Sequence, residues 1–282
     1  MGAVRIGTCS WADAGLLSSW YPASVRDAAG RLGYYAERFD VVEADSPFYR
    51  LPSPETTARW AERTPPGFVF HVKASGEMTG HRRSDRDEAF RAFREAVAPI
   101  EAAGKLRAVL LQYPPWLAKS REAARAILEA RDLLDPLSAL VEFRHVSWTC
   151  EDELPTTLEL CRRNGLALVS LDAPANALPR VAEATGPLAY VRFHGRNRET
   201  WFRKAKTSAE RFDWLYAREE LAEWVEPLRQ LDAEADEVYA LFNNNRDDFA
   251  PRSAQLLRGL LDESGIEATG GVEPEPAAPT LF

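Results

Sequence analysis

Four pairs of ionisable residues, each pair separated by a single position, carry the chemistry open to this chain: Glu43 with Asp45, His71 with Lys73, Glu142 with Arg144, and Arg192 with His194. On an extended strand, side chains two apart point to the same face, so each pair presents both members to one side. Carboxylates, a lysine, arginines and imidazoles gathered on one face can move protons, hold an anion, or neutralise one another. Counting Glu43, Glu142 and Asp172 against Lys73, Arg144 and Arg192, the charges balance three to three, as a closed ion network would require. Burying such a set costs desolvation energy that folding alone gives no reason to spend. The set as a whole therefore marks a candidate site.

The elements that must position these residues are short apolar runs, eight in number, starting at Val4, Phe39, Phe68, Ala108, Ala139, Leu166, Leu188 and Val238 and each ending in polar side chains. Most gaps hold helical patterns. Ser53-Pro54 reads as an N-cap with proline at the first helical position, Thr207 with Glu210 as a capping box, and Asn164-Gly165 as a helix stop. Eight strands alternating with helices predict a single (β/α)8 TIM-like barrel, which typically takes about 250 residues as one domain. We assign residues 1–266 to the barrel and the Gly-, Pro- and Glu-rich residues 267–282 to a flexible tail. The gap from Ala173 to Pro187 holds three prolines and predicts an irregular crossover. Barrel enzymes work at the C-terminal strand ends. Cys9, Glu43, Asp45, Lys73, Gln112, Glu142, Arg144, Asp172, Arg192, His194 and Asn243 are thus expected to converge at one mouth.

A net charge of −8 argues against indiscriminate polyanion binding by the whole surface. Locally the balance reverses, because residues 196–206 carry five basic side chains against Glu199, and His81-Arg82-Arg83 adds a second basic stretch. Loops after the seventh and eighth strands of such barrels frequently hold phosphate. The expected ligand groups are Arg144, Arg192, Arg196, Arg198, Gln112 and Asn243, with Gly195 letting backbone N–H groups approach an anion. Tyr49, Trp11 and Trp148, with Trp20, Tyr21 and Trp201 nearby in sequence, would stack on bases. The expected partner is a phosphorylated small molecule or DNA or RNA.

If the chain is an enzyme, Glu142 or Asp172 is the expected general base, with Glu43, Lys73 and His194 completing a metal-independent hydrolytic or acid/base set. Lys73 could be a Schiff-base nucleophile were its basicity depressed, but pairing with Glu43 on the neighbouring strand is the commoner arrangement and would raise it. A metal-dependent phosphoesterase or isomerase would use Glu43, Glu142, Asp172 and His194 as ligands; Lys73, Arg144 and Arg192 oppose a cation there, so no metal and no cofactor are expected. A non-catalytic nucleic-acid-binding module would keep the arginines and aromatics and tolerate loss of the carboxylates. A glycoside hydrolase fits the three cations least.

No apolar run approaches the roughly 20 residues of a membrane span, and the N-terminus is already strand-like, so the expectation is a cytoplasmic protein with no membrane partner. Cys9, Cys150 and Cys161 form no C-x-x-C pair and are expected as reduced thiols. The ending Thr280-Leu281-Phe282 resembles a degenerate sliding-clamp-binding peptide, with Ala277 and Ala278 where glutamine is wanted, and Leu281 and Phe282 are the residues through which such a contact would run.

The strings I-G-T-C-S-W at Ile6, F-Y-R-L-P at Phe48, V-K-A at Val72, L-Q-Y-P-P at Leu111, E-F-R-H-x-S-W at Glu142, Y-V-R-F-H-G-R at Tyr190 and F-N-N at Phe242 resemble, in order, the signature strings of the YecE-like family, catalogued as domain-of-unknown-function family 72. The resemblance implies a TIM-like barrel and groups these strand ends into one site, without supplying a reaction. The segment from Asn243 to Ala250 departs from the family's usual Asn-rich run followed by small residues, which leaves the eighth loop as this chain's own.

Overall fold

The computed structural model describes residues 2–201 and 207–271. Eight strands close a parallel barrel: β1 (Val4–Thr8), β2 (Val41–Ala44), β3 (Val69–Lys73), β4 (Leu106–Gln112), β5 (Ser138–Glu142), β6 (Leu166–Asp172), β7 (Leu188–Phe193) and β8 (Glu237–Phe242). Neighbours in sequence are neighbours in the sheet, and closure comes from β8 pairing with β1 along its length and β1 meeting β2 at Thr8 and Val42. The apolar runs make strands because both of their faces are covered; β6, for example, is buried at every position.

The layer outside the barrel contains α1 (Ala14–Ser19), α2 (Ala28–Ala36), α3 (Pro54–Glu62), α4 (Arg86–Ala102), α5 (Arg121–Leu134), α6 (Leu154–Arg163), four short helices after β7, namely α7 (Arg198–Trp201), α8 (Ser208–Arg211), α9 (Arg218–Ala222) and α10 (Val225–Glu234), and finally α11 (Phe249–Glu263). The caps read from sequence are present: Ser53 accepts from Thr56 N, Thr207 accepts from Glu210 N, and α6 ends at Asn164 before Gly165 in the left-handed region. Between β6 and β7 the described chain forms turns and no helix. Thr185 ties that segment to β6, its hydroxyl accepting from Leu168 N and donating to Leu166 O.

Strand alternation divides the core in two. Val41, Leu110, Leu140, Val169, Tyr190 and Leu241 fill the barrel interior. Phe70, Val109, Val141, Phe193 and Phe242 face outward into a second core with helix residues such as Phe93, Ile127, Leu228 and Leu257. The inward phase at each strand end decides which polar side chains reach the mouth.

One boundary moves. Residues 267–271, read from composition as the start of a flexible tail, run beside β1 instead, with Ala268–Thr269 forming β9 against Val4 and Arg5. The glycine that looked like a disorder signal has a packing reason: at Gly270, φ is +76° and a Cβ would sit 2.1 Å from Ile6 O. The proposed clamp-binding residues Leu281 and Phe282 lie outside the described residues. Among the described residues, no helix is long and apolar enough to cross a membrane.

Candidate functional site

Arg192, delivered inward by β7, organises the upper interior. It is fully buried and bridges two carboxylates, with Nη2 donating to Glu43 Oε1 at 2.6 Å and Nη1 to Glu142 Oε2 at 2.6 Å. Tyr190, one inward position below, donates its hydroxyl to Glu43 Oε2 at 2.9 Å. Arg144 Nε donates to the remaining Glu142 oxygen. Burial alone would raise the Glu142 pKa, but Arg144 and Arg192 hold it well below the usual carboxylate range. An acid held that far down is a weak proton acceptor near neutrality, so Glu142 anchors cations more readily than it acts as a base.

His194 sits above Arg192 on the same inward face, fully buried. Arg144 Nη2 lies 2.9 Å from Nε2, and the Asn243 amide lies 2.9 Å from Nδ1. A guanidinium can only donate, so Nε2 carries the lone pair; Nδ1 then bears the proton and requires the amide oxygen of Asn243. Burial, with the charges of Arg144 and Arg192 added, holds the imidazole well below its ordinary pKa. His194 is therefore neutral near pH 7, in one tautomer set by its neighbours.

Lys73 closes β3 on the same face, and its expected ion pair with Glu43 does not form, since Tyr190 and Arg192 already occupy that carboxylate. Among the described residues Lys73 makes no hydrogen bond or ion pair; its Nζ lies over the Phe48 ring, 4.2 Å from the centroid. Burial, and then the charge of Arg192, lower its pKa against the pull of Asp45, Glu43 and Glu142. Asp45, next inward after Glu43, is raised to about 6 by burial, partly offset by Lys73. Asp13, from the loop after β1, is raised to about 7 by burial and by the charge of Asp45. Both carboxyls titrate close to neutrality.

Side chains from the loops surround this floor. Gln112 is half-buried at the end of β4 beside Glu142. Tyr49 is exposed with its ring 5.1 Å from that of Phe48, and His81 packs between Phe48 and the exposed Trp116. His81 is held down at about 4 by burial and the charges of Lys73 and Arg144, and is neutral. Trp201 lies 6.0 Å from the His194 ring and 5.2 Å from the Arg144 guanidinium. Arg211, ending α8, is close enough for its charge to act on both Tyr49 and Arg144, and its guanidinium has no partner among the described residues.

Several expected members are elsewhere. Asp172 points out of the barrel, because β6 turns Leu171 inward and pairs Asp172 with outward-facing Phe193. There it accepts from Tyr216 Oη at 2.6 Å, Trp224 Nε1 at 2.6 Å and the guanidinium of Arg196. Arg196 is spent on Asp172 and Glu223 and holds the chain after β7 to the α9 region. The Gly195 N–H, expected to approach an anion, donates to Tyr216 Oη at 2.8 Å, and a Cβ there would meet Trp214 at 2.4 Å. Arg198 is exposed at the start of α7. Trp148 is fully buried in the outer core, stacked on Phe143 at 4.2 Å with Nε1 donating to Leu117 O. Trp11 packs edge-on against Trp60 in the same layer, and Trp20 and Tyr21 join Tyr34. The carboxylate and imidazole set considered for a metal does not assemble: Asp172 faces away, and Glu43 and Glu142 hold Arg192. No group of three or more His, Cys, Asp or Glu side chains among the described residues is placed to hold a metal ion.

The mouth residues not anticipated are Arg211, Trp116, Phe48 and Asp13. Arg211 carried no signal, sitting one position after a capping-box glutamate in an ordinary helical pattern. The P-P-W string at Pro114 and the acid three residues after the first strand's polar end could have pointed to Trp116 and Asp13.

A family model described as "Protein of unknown function DUF72" matches residues 5–279. UPF0759 protein YunF of Bacillus subtilis (strain 168) is 31% identical over 279 residues, covering 95% of this chain and 96% of that protein. A crystal structure of a DUF72 family protein from Enterococcus faecalis V583 superposes with a TM-score of 0.83 at 25% identity, covering 99% of both chains. One from Thermotoga maritima MSB8 gives 0.81 at 29% identity, covering 93% of this chain and 100% of that one.

Proposed function

The chain belongs to the DUF72 family of proteins of unknown function, and from that premise we propose that its barrel mouth binds an anionic, phosphate-bearing ligand, a nucleotide or an exposed segment of nucleic acid. The observation that carries the reading is the state of the cations. Arg192 is neutralised by Glu43 and Glu142, whereas Lys73 and Arg211 face the mouth with no carboxylate partner among the described residues. Arg144 adds an Nη1 group that no acceptor among the described residues takes. A phosphate has the oxygens to satisfy all three at once. Tyr49, Trp116 and Trp201 give the rim the flat surfaces on which a base stacks.

Any acid/base step in this mouth falls to Asp13 and Asp45, whose carboxyls titrate near neutrality, rather than to Glu142 or Asp172. Titration of the protein with inorganic phosphate, nucleoside monophosphates and short single-stranded DNA and RNA tests the reading. Binding should weaken with salt and fall on Lys73→Met or Arg211→Ala. No binding of any of these at millimolar concentration, or binding untouched by both substitutions, would sink it.

A further inference from the structure

Among the described lysines, Lys73 is set apart by what it lacks. Lys105 Nζ donates to Ala61 O, Thr64 O and Thr64 Oγ1, and Lys119 Nζ pairs with Glu153 and donates to Thr157. Among the described residues Lys73 has neither acceptor nor counter-ion, although the charges of three carboxylates, Asp45, Glu43 and Glu142, act on it. The barrel brings this about. Glu43 and Glu142 are turned toward Arg192 from both sides, and Asp45 stays beyond ion-pair distance. Against the ammonium lies the Phe48 ring, which offers a π face rather than an acceptor oxygen. The amine belongs to the last residue of β3, at the C-terminal end of the barrel interior.

We propose that Lys73 is a nucleophile that captures the carbonyl carbon of an anionic aldehyde or ketone as an imine, with Asp45 as the proton carrier. The choice of an anionic substrate rests on the anion-binding reading of the mouth; the nucleophile does not. The Nζ lone pair forms the C–N bond as the carbonyl π electrons move to oxygen, which takes a proton from the Asp45 carboxyl. The resulting carbinolamine loses a nitrogen proton to the Asp45 carboxylate. Breakage of the C–O bond, with that proton returned to the departing oxygen, gives one water and a protonated imine beside the Asp45 carboxylate, which then takes the remaining nitrogen proton to leave the C=N bond. Of the two amine hydrogens one leaves in the water and the other restores the Asp45 carboxyl that gave the first proton, so the step balances and no oxidant is needed. The groups are suited to these roles. Burial and Arg192 favour the free amine, and Asp45 titrates at about 6, where a carboxyl both gives and takes a proton near neutral pH.

The test uses the full chain, which has five lysines, incubated in separate arms with glyceraldehyde 3-phosphate and with glyceraldehyde, then reduced with borohydride and mapped by peptide mass. With no acceptor or counter-ion among the described residues to hold it, Lys73 should be labelled about tenfold or more above Lys105 and Lys119, whose ammonium groups are engaged. The expected result is a reduced adduct concentrated on Lys73, absent in Lys73→Arg and diminished in Asp45→Asn while labelling of Lys105 is unchanged. Adducts spread evenly over the lysines would overturn the proposal. Equal Lys73 yields from both aldehydes would uphold the nucleophile and remove the anion reading. Phosphate binding that depends on Arg211, with no adduct on Lys73, would keep the anion reading and overturn the nucleophile.

Discussion

Arg192 and Glu43 stand 149 residues apart in the chain and meet inside the barrel, Nη2 to Oε1 at 2.6 Å, with neither side chain reaching solvent. Neither charge can be removed alone without stranding the other, and a stranded buried charge costs about 3–5 kcal/mol. We expect Glu43→Gln or Arg192→Met to lower the stability measured by urea unfolding by that order. A loss under about 1 kcal/mol, the scale of a surface pair, would mean the interior is wet.

Asp172 should behave as a structural acid. Asp172→Ala strands the Tyr216 hydroxyl, the Trp224 indole N–H and the Arg196 guanidinium, and is expected to cost several kcal/mol, at about 1–3 kcal/mol for each unsatisfied buried group. Phosphate affinity measured on the folded variant should stay within about twofold, because the carboxylate faces away from the mouth. A variant of full stability with abolished binding would put Asp172 back into the site.

The two classes of arginine should separate in one experiment. Arg211→Ala is expected to weaken phosphate-ligand binding about tenfold or more with little change in melting temperature, since charge-assisted hydrogen bonds contribute about 1.5–3 kcal/mol. Arg196→Ala should lower the melting temperature and leave affinity nearly unchanged. Reversed outcomes would place the anion near Arg196 instead.

Asp13 and Asp45 set a pH dependence with a definite sign. Their folded-state pKa values of about 7 and about 6 lie above the ordinary Asp value, so the folded chain holds more protons than the unfolded one between roughly pH 4 and 7. This pair's contribution to stability is complete below the unfolded value and is lost as pH rises through the folded values. Asp13→Asn, which removes a charge that burial and Asp45 disfavour, should raise the melting temperature at pH 8 by about 2 °C or more and leave it unchanged at pH 4. An equal effect at both pH values would show that the two carboxyls are solvated and uncoupled.

Legibility in the sequence followed contrast between the two faces of each strand. The residues two apart at the ends of β2, β5 and β7 share a face as their spacing requires, and Glu43, Glu142, Arg192 and His194 meet inside the barrel. Partner choice was not legible. A lysine and a glutamate at the ends of adjacent strands suggested a pair, yet Tyr190 and Arg192 reach the glutamate from across the barrel and leave the lysine alone. Aromatic residues in loops were least legible, because Trp148, between Ser147 and Thr149, is buried against Phe143, while Trp116, between Pro115 and Leu117, is exposed.

By itself the sequence determined the eight strands, their order and the barrel they close, because apolar runs at this spacing have few ways to bury both faces. Which end residues turn inward, and which cations stay unpaired, was decided only by the tertiary structure. In the run ending at Asp172 every position is buried, so the polar-apolar alternation that would reveal the strand's phase is missing. Phase is then set by register against β7, where Leu171 meets Arg192 and Asp172 meets Phe193. Pairing between charges on different strands depends on distances across the closed barrel, which exist only once all eight strands are in place.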